Sequence, residues 1–241
     1  MSNILIHRRH LGGTITTLRD FCIVAQSASV AVTFNQRGTG TLLYSIDRGN
    51  TWSNVISGQA LPTLAQDEKM YFRGFISPNT TASSYTSRGV GTFQVTGNYY
   101  VQGGILSLVN GDNWTDTDEV PYRAFCSLFY GSTTLLNAYN LVVPSGETKQ
   151  EALDHAFYGC INLLAAPPLP SSVVNYYSYY GMFANCSNLH RIEVGFTSWL
   201  GNITDYWMQG ASNIGTFYCP ATLSVEYGVS RIPSGWSVET I

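Results

Sequence analysis

Charged residues are scarce in this chain of 241 residues: Asp, Glu, Lys and Arg together make up only 11% of it. The 12 Lys and Arg residues and the formal net charge of −3 exclude a broad basic surface. Such a surface is what nucleic-acid binding requires, because it depends on neutralising many phosphates. No run of residues approaches the ~20 apolar residues of a membrane-spanning helix. The sequence therefore predicts neither nucleic-acid binding nor membrane insertion.

The chain also lacks the common catalytic motifs: it has no HExxH, GxSxG, P-loop or GxGxxG pattern. His7 and His10 lie in a polar N-terminal stretch, and His155 and His190 lie in the repeats described below. His155 precedes Cys160 closely, but the repeat explains both residues without a Cys–His pair. We expect no enzymatic activity, no cofactor and no metal ion. A carboxylate pair for glycoside cleavage, drawn from distant positions, is the alternative left open.

The five Cys residues are odd in number and form no CxxC pair; they are Cys22, Cys126, Cys160, Cys186 and Cys219. This pattern predicts free and mostly buried thiols. A disulfide between Cys160 and Cys186 is the alternative, provided that neighbouring repeats bring the two Cα atoms within about 7 Å.

No secretory signal is visible at the N-terminus. Residues 1–13 contain His7-Arg8-Arg9-His10 but neither an apolar stretch nor a small-residue cleavage site after it. A bacterial surface protein needs an export signal, whereas a virion component is released at lysis. Residues 1–20 are predicted to form an arm, and docking of this arm onto a larger assembly is the more specific hypothesis for it.

The strongest positive feature is a phrase that occurs four times. Phe129–Leu135 (FYGSTTL) returns as Phe157–Leu163, as Phe183–Leu189 and, in a weaker copy, as Met208–Ile214. The first residues of successive copies are 28, 26 and 25 positions apart. A period of roughly 20–29 residues with recurring leucine is typical of leucine-rich repeats. One unit cannot cover its own apolar face, so the copies are expected to stack.

Each position of the phrase has a physical role. A large apolar anchor opens it, at Phe129, Phe157, Phe183 and Met208. Residues that tolerate a left-handed backbone come next and should end a helix of one or two turns: Gly131, Gly159, Asn185 and Gly210. A small buried side chain follows, at Ser132, Cys160, Cys186 and Ala211. Inward-pointing residues then open a short strand: Leu135, Leu163, Leu189 and Ile214.

The phrase resembles the BspA-type leucine-rich repeats, with their MF-x-x-C-x-x-L core. These repeats are common in surface proteins of gut and oral bacteria and in phages that infect such bacteria. The segment 165–170 (AAPPLP), followed by 176–183, is especially close to that pattern. The first half resembles the small β domain often placed before these repeats, through residues 44–52 and 69–74. The chain departs from the pattern in having few repeats and no Cys in its first and last copies, as in a short solenoid with atypical ends.

The first half is rich in short β-branched and aromatic runs separated by Gly, Asn, Ser and Pro, which predicts a β-sandwich over residues 21–109. Gly97-Asn98 predicts a tight hairpin. Residues 110–122 are interpreted as a solvated acidic linker, since their spacing does not match a calcium-binding EF-hand. The repeat domain and its C-terminal cap take residues 123–241. The expected fold is therefore mixed: an N-terminal β-sandwich, then a short leucine-rich-repeat solenoid of strands and short helices.

Residues 45–52 match the Asp-box, S-x-D-x-G-x-T-W, which sialidases carry several times. The match predicts a hairpin turn in which Asp47 caps backbone amides, Gly49 takes a positive φ and Trp52 packs under the turn. Ser45 opens it. A single copy in a chain of this length predicts a structural role and not a sialidase propeller.

Sixteen Tyr residues and a nearly neutral composition are typical of contact-making proteins, because Tyr combines broad apolar area with a hydroxyl. Tyr99, Tyr100, Tyr176 and Tyr177 are the candidate ligand-binding residues; the alternative is that alternate members pack inside. The resemblance implies a non-enzymatic phage virion protein (fibre, spike or decoration) that contacts host-surface glycan or protein. It would attach to other virion proteins through its N-terminal part and form a homo-oligomer, a trimer or dimer. The alternatives are a bacterial cell-surface adhesin module and a glycan-processing enzyme.

Overall fold

A computed structural model describes residues 19–241, which fold almost entirely into strands, turns and loops. The strands are β1 (Phe21–Ala25), β2 (Ala31–Gln36), β3 (Thr39–Ser45), β4 (Ser53–Asn54), β5 (Lys69–Ser77), β6 (Gly91–Thr96), β7 (Tyr99–Gly104), β8 (Leu135–Val142), β9 (Arg191–Glu193), β10 (Thr216–Cys219) and β11 (Ser237–Thr240). Within these residues the one α-helix is α1 (Ser107–Asn110), and Tyr85–Ser87 form a single 3-10 turn. The fold is thus mostly β, with several sheets.

The strands form three sheets. Six strands make the largest, in the order β4-β3-β5-β1-β7-β8; β2 pairs with β6, and β11-β10-β9 make a parallel sheet. The two-stranded sheet packs onto the largest one through aromatic rings. Phe93 of β6 lies 5.1 Å from Phe21 of β1 and 5.0 Å from Phe72 of β5, measured between ring centroids. The burial of these large rings holds the two sheets together.

The hairpin predicted at Gly97-Asn98 is wrong. β6 pairs with β2, whereas β7 pairs with β1 and β8, so the two strands flanking this dipeptide belong to different sheets. Gly97 has φ +81, and a Cβ there would lie 2.4 Å from the carbonyl oxygen of Ser29. The dipeptide carries the chain from one sheet to the other, because each strand finds its partner elsewhere in the sequence.

The short helix predicted before each repeated glycine is also wrong. Residues 121–132, 149–160, 175–186 and 202–211, called the turn segments below, contain successive three-residue turns. In the first of them, the amide of Ala124 donates to the carbonyl of Pro121, that of Leu128 to Phe125 and that of Ser132 to Phe129, at 3.0–3.3 Å. A left-handed residue recurs at every fourth position in each of the first three segments. A left-handed residue interrupts the right-handed backbone of an α-helix, so no α-helix continues through these positions.

The amides between these turns bond to the neighbouring turn segment. Residues 123, 125, 127, 129 and 131 donate to the carbonyls of residues 150, 152, 154, 156 and 158, at 2.7–3.2 Å. The second segment donates in the same way to the third, and the third to the fourth. These inter-segment bonds take the amide groups that an α-helix would use internally, so tertiary contact replaces the helix predicted from the sequence.

The two halves of the chain share one sheet and one core. β8 lies parallel to β7, and the ladder continues from Ala138 to Ala165, which bridges Arg191 at the start of β9. The ring of Phe129 lies 6.0 Å from those of both Phe21 and Phe93. The boundary predicted at residues 110–122 therefore does not separate two cores.

The segment predicted to be a solvated linker is packed against the repeats at two points. Trp114 and Val120 are buried in it. The amide of Val120 donates to the carbonyl of Glu147, and Asp116 accepts from the amide of Ser145 at 2.7 Å. Of the acidic side chains between these points, Asp116 and Glu119 are exposed and Asp118 is half-buried, so only this part resembles the predicted linker.

The aromatic anchors of the repeated phrase occupy equivalent positions in the core. The ring of Phe157 stacks on that of Phe129 at 5.1 Å and on that of Phe183 at 5.6 Å, and Met208 is buried beyond them. The equivalent residues Leu135, Leu163 and Leu189 are also buried.

Ile214 is the exception, because it is 78% exposed rather than inward-pointing. Trp236 is buried against the neighbouring Gly215 and donates its indole N–H to the carbonyl of Ser212. This indole, from a segment that does not repeat the phrase, is the buried apolar side chain beside the fourth copy, where Ile214 was expected to point inward.

All five Cys residues are buried free thiols, as predicted, so the Cys160–Cys186 disulfide is absent. The Cys160 thiol donates to the carbonyl of Phe129 at 3.2 Å, and the Cys186 thiol to that of Phe157 at 3.1 Å. Each thiol thus links its repeat to the preceding one. Burial raises the pKa of Cys160 and raises that of Cys186 to about 12, which keeps both protonated and unreactive at neutral pH.

Candidate functional site

Seven rings form a continuous band across the turn segments, called the aromatic row below. They are Tyr85, Tyr130, His155, Tyr158, Tyr177, Tyr180 and Tyr206. Each centroid lies 3.9–5.9 Å from that of at least one other member. Tyr206 is 49% exposed, the other five tyrosines are half-buried, and His155 is buried. A partly exposed aromatic band of this length is a candidate contact surface.

The repeat itself builds the band. Tyr130 and Tyr158 occupy the same position in successive copies of the phrase, directly before Gly131 and Gly159. Their rings are stacked with centroids 4.9 Å apart and planes 6° apart. This distance matches the spacing of hydrogen-bonded strands, because the ladder between the turn segments fixes it. Both rings are half-buried, so part of each remains accessible to solvent.

The loop between β5 and β6 contributes the first ring of the aromatic row. Tyr85 lies in the 3-10 turn capped by Ser84, and its carbonyl accepts a hydrogen bond from the Ser127 hydroxyl at 3.2 Å. The ring of Tyr85 stacks on the imidazole of His155 with centroids 3.9 Å apart and planes 3° apart. The β half of the chain therefore supplies part of the candidate surface.

A cluster of paired charges lies beneath the aromatic row. Arg123 binds Glu151 through two hydrogen bonds of 3.0 Å, and Arg88 binds the same carboxylate. Arg88 also lies 3.7 Å from Asp154, which in turn bonds the Nδ1 atom of His155. Burial raises the pKa of Asp154 although His155 and Arg88 oppose the effect. Two guanidiniums thus face two carboxylates, and both cations are engaged within the protein.

The Nε2 edge of His155 is covered by the backbone. A Cβ on Gly181 would lie 2.8 Å from this nitrogen, so only glycine leaves room for the ring. Within residues 19–241, Nδ1 bonds Asp154, and Nε2 has no thiol or hydroxyl partner. Cys126 donates instead to the carbonyl of Glu151, at 3.0 Å. The geometry therefore orients a stacked imidazole and pairs it with no nucleophile.

The four Tyr residues predicted to bind ligand differ in their burial and contacts. Tyr99 is in the core with its hydroxyl bonded to Ser132 at 2.8 Å, so that prediction is wrong, because β7 turns it toward the shared core. Tyr100 points the other way from β7 and is 38% exposed, with no ring contact to the aromatic row. Tyr177 belongs to the aromatic row. Tyr176 lies beside it in sequence and is 64% exposed.

Equivalent positions in successive repeats are the signal that could have identified the members of the aromatic row that were not predicted. The FYG sequence, shared by two copies of the phrase, marks Tyr130 and Tyr158 as neighbours in adjacent turn segments. Nothing in the sequence indicates Tyr85, since it reaches the aromatic row from a loop more than 40 residues earlier. Tyr206 occupies the position equivalent to His155 and Gly181 in its repeat, and all three have a left-handed backbone.

The Asp-box residues form a closed turn away from the aromatic row. Asp47 accepts from the amide and the hydroxyl of Thr51 at 2.9 and 2.7 Å, and from the hydroxyl of Ser45 at 2.7 Å. Gly49 has φ +84, and Trp52 packs against it with an indole N–H bond of 3.1 Å to its carbonyl. These contacts give the residues a structural role in the β3–β4 hairpin.

In residues 19–241 no helix has the length and apolar character to cross a membrane. The same residues hold no cluster of three or more His, Cys, Asp or Glu side chains arranged for a metal ion. Comparisons with models of protein families, with curated proteins and with solved structures found no match for the chain.

Proposed function

We propose that the chain is a non-enzymatic structural protein of a phage virion that presents a host-surface-binding module. The turn segments and parallel strands form its short leucine-rich-repeat solenoid, with the β half as a sandwich that covers the first repeat. The aromatic row is the binding surface, and a glycan or a protein of the host surface is its partner. The N-terminal part attaches to other virion proteins, and the particle carries the protein as a homo-oligomer.

The aromatic row is the observation that carries this proposal. Six of its members are tyrosines, of which Tyr206 is exposed and the others are half-buried, and aromatic residues of this kind are enriched at recognition surfaces. Rigid tyrosines lose little conformational entropy on binding. The thiols nearest the aromatic row are buried, and burial raises the pKa of Cys126 and Cys160. Accessible tyrosine rings serve a binding function, whereas buried thiols of raised pKa do not serve a catalytic one.

Three measurements test the proposal. Antibodies against the purified protein should label intact phage particles in electron micrographs, and the protein should be found by mass spectrometry in particles purified on a density gradient. Purified protein, added in excess, should reduce adsorption of the phage to its bacterial host. Unlabelled particles together with undiminished adsorption would reject the proposed function.

A bacterial cell-surface adhesin is the second candidate, favoured by the resemblance of the repeats to those of bacterial surface proteins. The aromatic row would serve it equally well. The neighbouring genes separate the two candidates. Genes for capsid or tail proteins on both sides support the virion, whereas an upstream start codon that adds a signal peptide supports the adhesin.

A further inference from the structure

We propose that the ligand of the aromatic row is an uncharged polysaccharide chain of the host surface, which lies across successive turn segments. This inference rests on the proposed binding function and narrows it from glycan or protein to one class of ligand. Charge, spacing and side-chain chemistry of the aromatic row each support it.

The charges beside the aromatic row argue against an acidic ligand. Recognition of phosphate or carboxylate groups uses Arg and Lys side chains whose donors are free to bind them. Here the guanidiniums of Arg88 and Arg123 are committed to Glu151 and are only 16–17% exposed. Arg88 also donates through Nε to the carbonyl of Ala82 and through Nη2 to that of Ser83. A polyanion would also approach Asp205, which lies near Tyr180.

The exposed chemistry of the aromatic row is that of rings, hydroxyls and amides. Tyr206 is 49% exposed, and its ring meets that of Tyr180 at 75°, so the two rings offer both a face and an edge. The Tyr177 hydroxyl accepts from the side-chain amide of Asn202 at 2.8 Å. Exposed Gln209 takes the place of Tyr130 and Tyr158 in the last repeat. A sugar presents both C–H faces and hydroxyls, which match rings and polar groups without charge.

The spacing of two equivalent tyrosines in the aromatic row favours a chain of repeating units. The rings of Tyr130 and Tyr158 lie 4.9 Å apart, about one strand spacing, because the ladder between turn segments sets their separation. A repeating ligand can make the same contact at each step along such an array. Several weak contacts held together in this way add to a useful affinity.

The test uses full-length protein and probes prepared from the bacterial host. Envelope polysaccharide is freed of protein with protease and separated by anion exchange into a neutral and an acidic pool. Each pool is cast into native gels, and retardation of the protein gives its affinity. Cell binding is measured in parallel after treatment of the cells with periodate, which cleaves sugar diols, or with protease.

Two pairs of variants serve as site and control. Tyr206→Ala removes an exposed ring of the aromatic row, and Tyr227→Ala removes a comparably exposed ring outside it. Tyr158→Phe removes one hydroxyl and keeps the stacked ring, so it should fold normally. Its control is Tyr100→Phe, on β7. We expect Tyr206→Ala and Tyr158→Phe to weaken retardation about three- to tenfold, and both controls to leave it unchanged.

The expected result is retardation by the neutral pool and loss of cell binding after periodate. Retardation by the acidic pool alone, abolished by salt, would overturn the inference. So would cell binding that survives periodate and is lost after protease, or retardation equally weak in a control variant. The first two of these outcomes leave the proposed function standing, and the third removes only the aromatic row as its binding surface. The proposed function itself fails if the protein is absent from the particle and has no effect on adsorption.

Discussion

At the scale of single residues, the left-handed backbone of the turn segments is the most demanding feature. Seven of these positions are not glycine: Arg123, Ser127, Glu151, His155, Tyr177, Asn185 and Tyr206. Each left-handed residue other than glycine costs about 1–2 kcal/mol. The cost persists because the amides around these residues bond to the next turn segment, which holds the backbone in place.

Gly181 should be among the least replaceable residues. Gly181→Ala adds a methyl group 2.8 Å from the Nε2 atom of His155 at a residue with φ +56. We expect a loss of about 2–4 kcal/mol in the free energy of unfolding, from backbone strain plus overpacking. Gly131→Ala is the matched control, since φ is +71 there and nothing lies within 4 Å of the added carbon. Urea unfolding should show a loss of only about 1 kcal/mol for the control, and equal losses would contradict the role of the His155 contact.

Asp47 should make the β3–β4 hairpin sensitive to acid. Its hydrogen bonds to the Thr51 side chain and backbone, followed by that to Ser45, lower the pKa of Asp47 from 3.8 to about 2. A lowered pKa in the folded state contributes stability above pH 3.8 that is lost as pH falls through about 2. The amide resonance of Thr51 should therefore shift, and its exchange with solvent should rise, over that interval. In Asp47→Asn the same resonance should not titrate; a titration that persisted there would assign the effect to another group.

At the scale of elements, the phenylalanine stack joins the repeats more directly than any single hydrogen bond does. The ring of Phe157 contacts those of both Phe129 and Phe183, so it belongs to two repeat interfaces at once. The thiols of Cys160 and Cys186 reinforce the same interfaces from the adjacent position. Removing the middle ring should therefore weaken both interfaces.

Phe157→Ala is expected to lower the free energy of unfolding by about 3–5 kcal/mol, the range for truncating a buried aromatic ring. Tyr176→Ala removes an exposed ring from the same region and should change it by less than about 0.5 kcal/mol. Chemical denaturation with both variants provides the comparison. A similar loss in the two would place Phe157 outside the core.

At the scale of the whole molecule, the continuous sheet and the shared core make the β half and the repeats one unit. β8 bonds to β7 on one side and to the next repeat on the other. Phe129 packs on rings from β1 and β6. The β half thus covers the end of the first repeat, which would otherwise expose its apolar face.

Unfolding should accordingly occur in one cooperative transition. Phe21→Ala, placed in β1, should raise amide exchange in the turn segments as well as in β1, β5 and β7. Calorimetric and van't Hoff enthalpies of the wild-type protein should agree, as in a two-state transition. Hydrogen-exchange mass spectrometry of full-length protein provides the residue-level readout. Two separate transitions, or an effect of Phe21→Ala confined to the β half, would show independent units.

Periodicity made much of this architecture predictable. The spacing of the phrase identified Phe129, Phe157 and Phe183 as equivalent buried anchors, and local composition predicted the β structure of the first half. The candidate site was less accessible, because Tyr85 reaches it from a distant loop. Alternation along β7 turned one of two adjacent tyrosines inward, so Tyr99 was misassigned while Tyr100 stayed exposed.

The sequence by itself determined which residues are equivalent and which of them are apolar, and it indicated a left-handed backbone at Gly131, Gly159, Asn185 and Gly210, since these follow from side-chain chemistry and period. Only the tertiary structure decided that the turn segments bond to one another and do not form helices. It also buried Trp236 and left Ile214 exposed at the last repeat, and it joined both halves into one sheet. The physical reason is that backbone amides and buried volume are satisfied by partners distant in sequence, which no local pattern specifies.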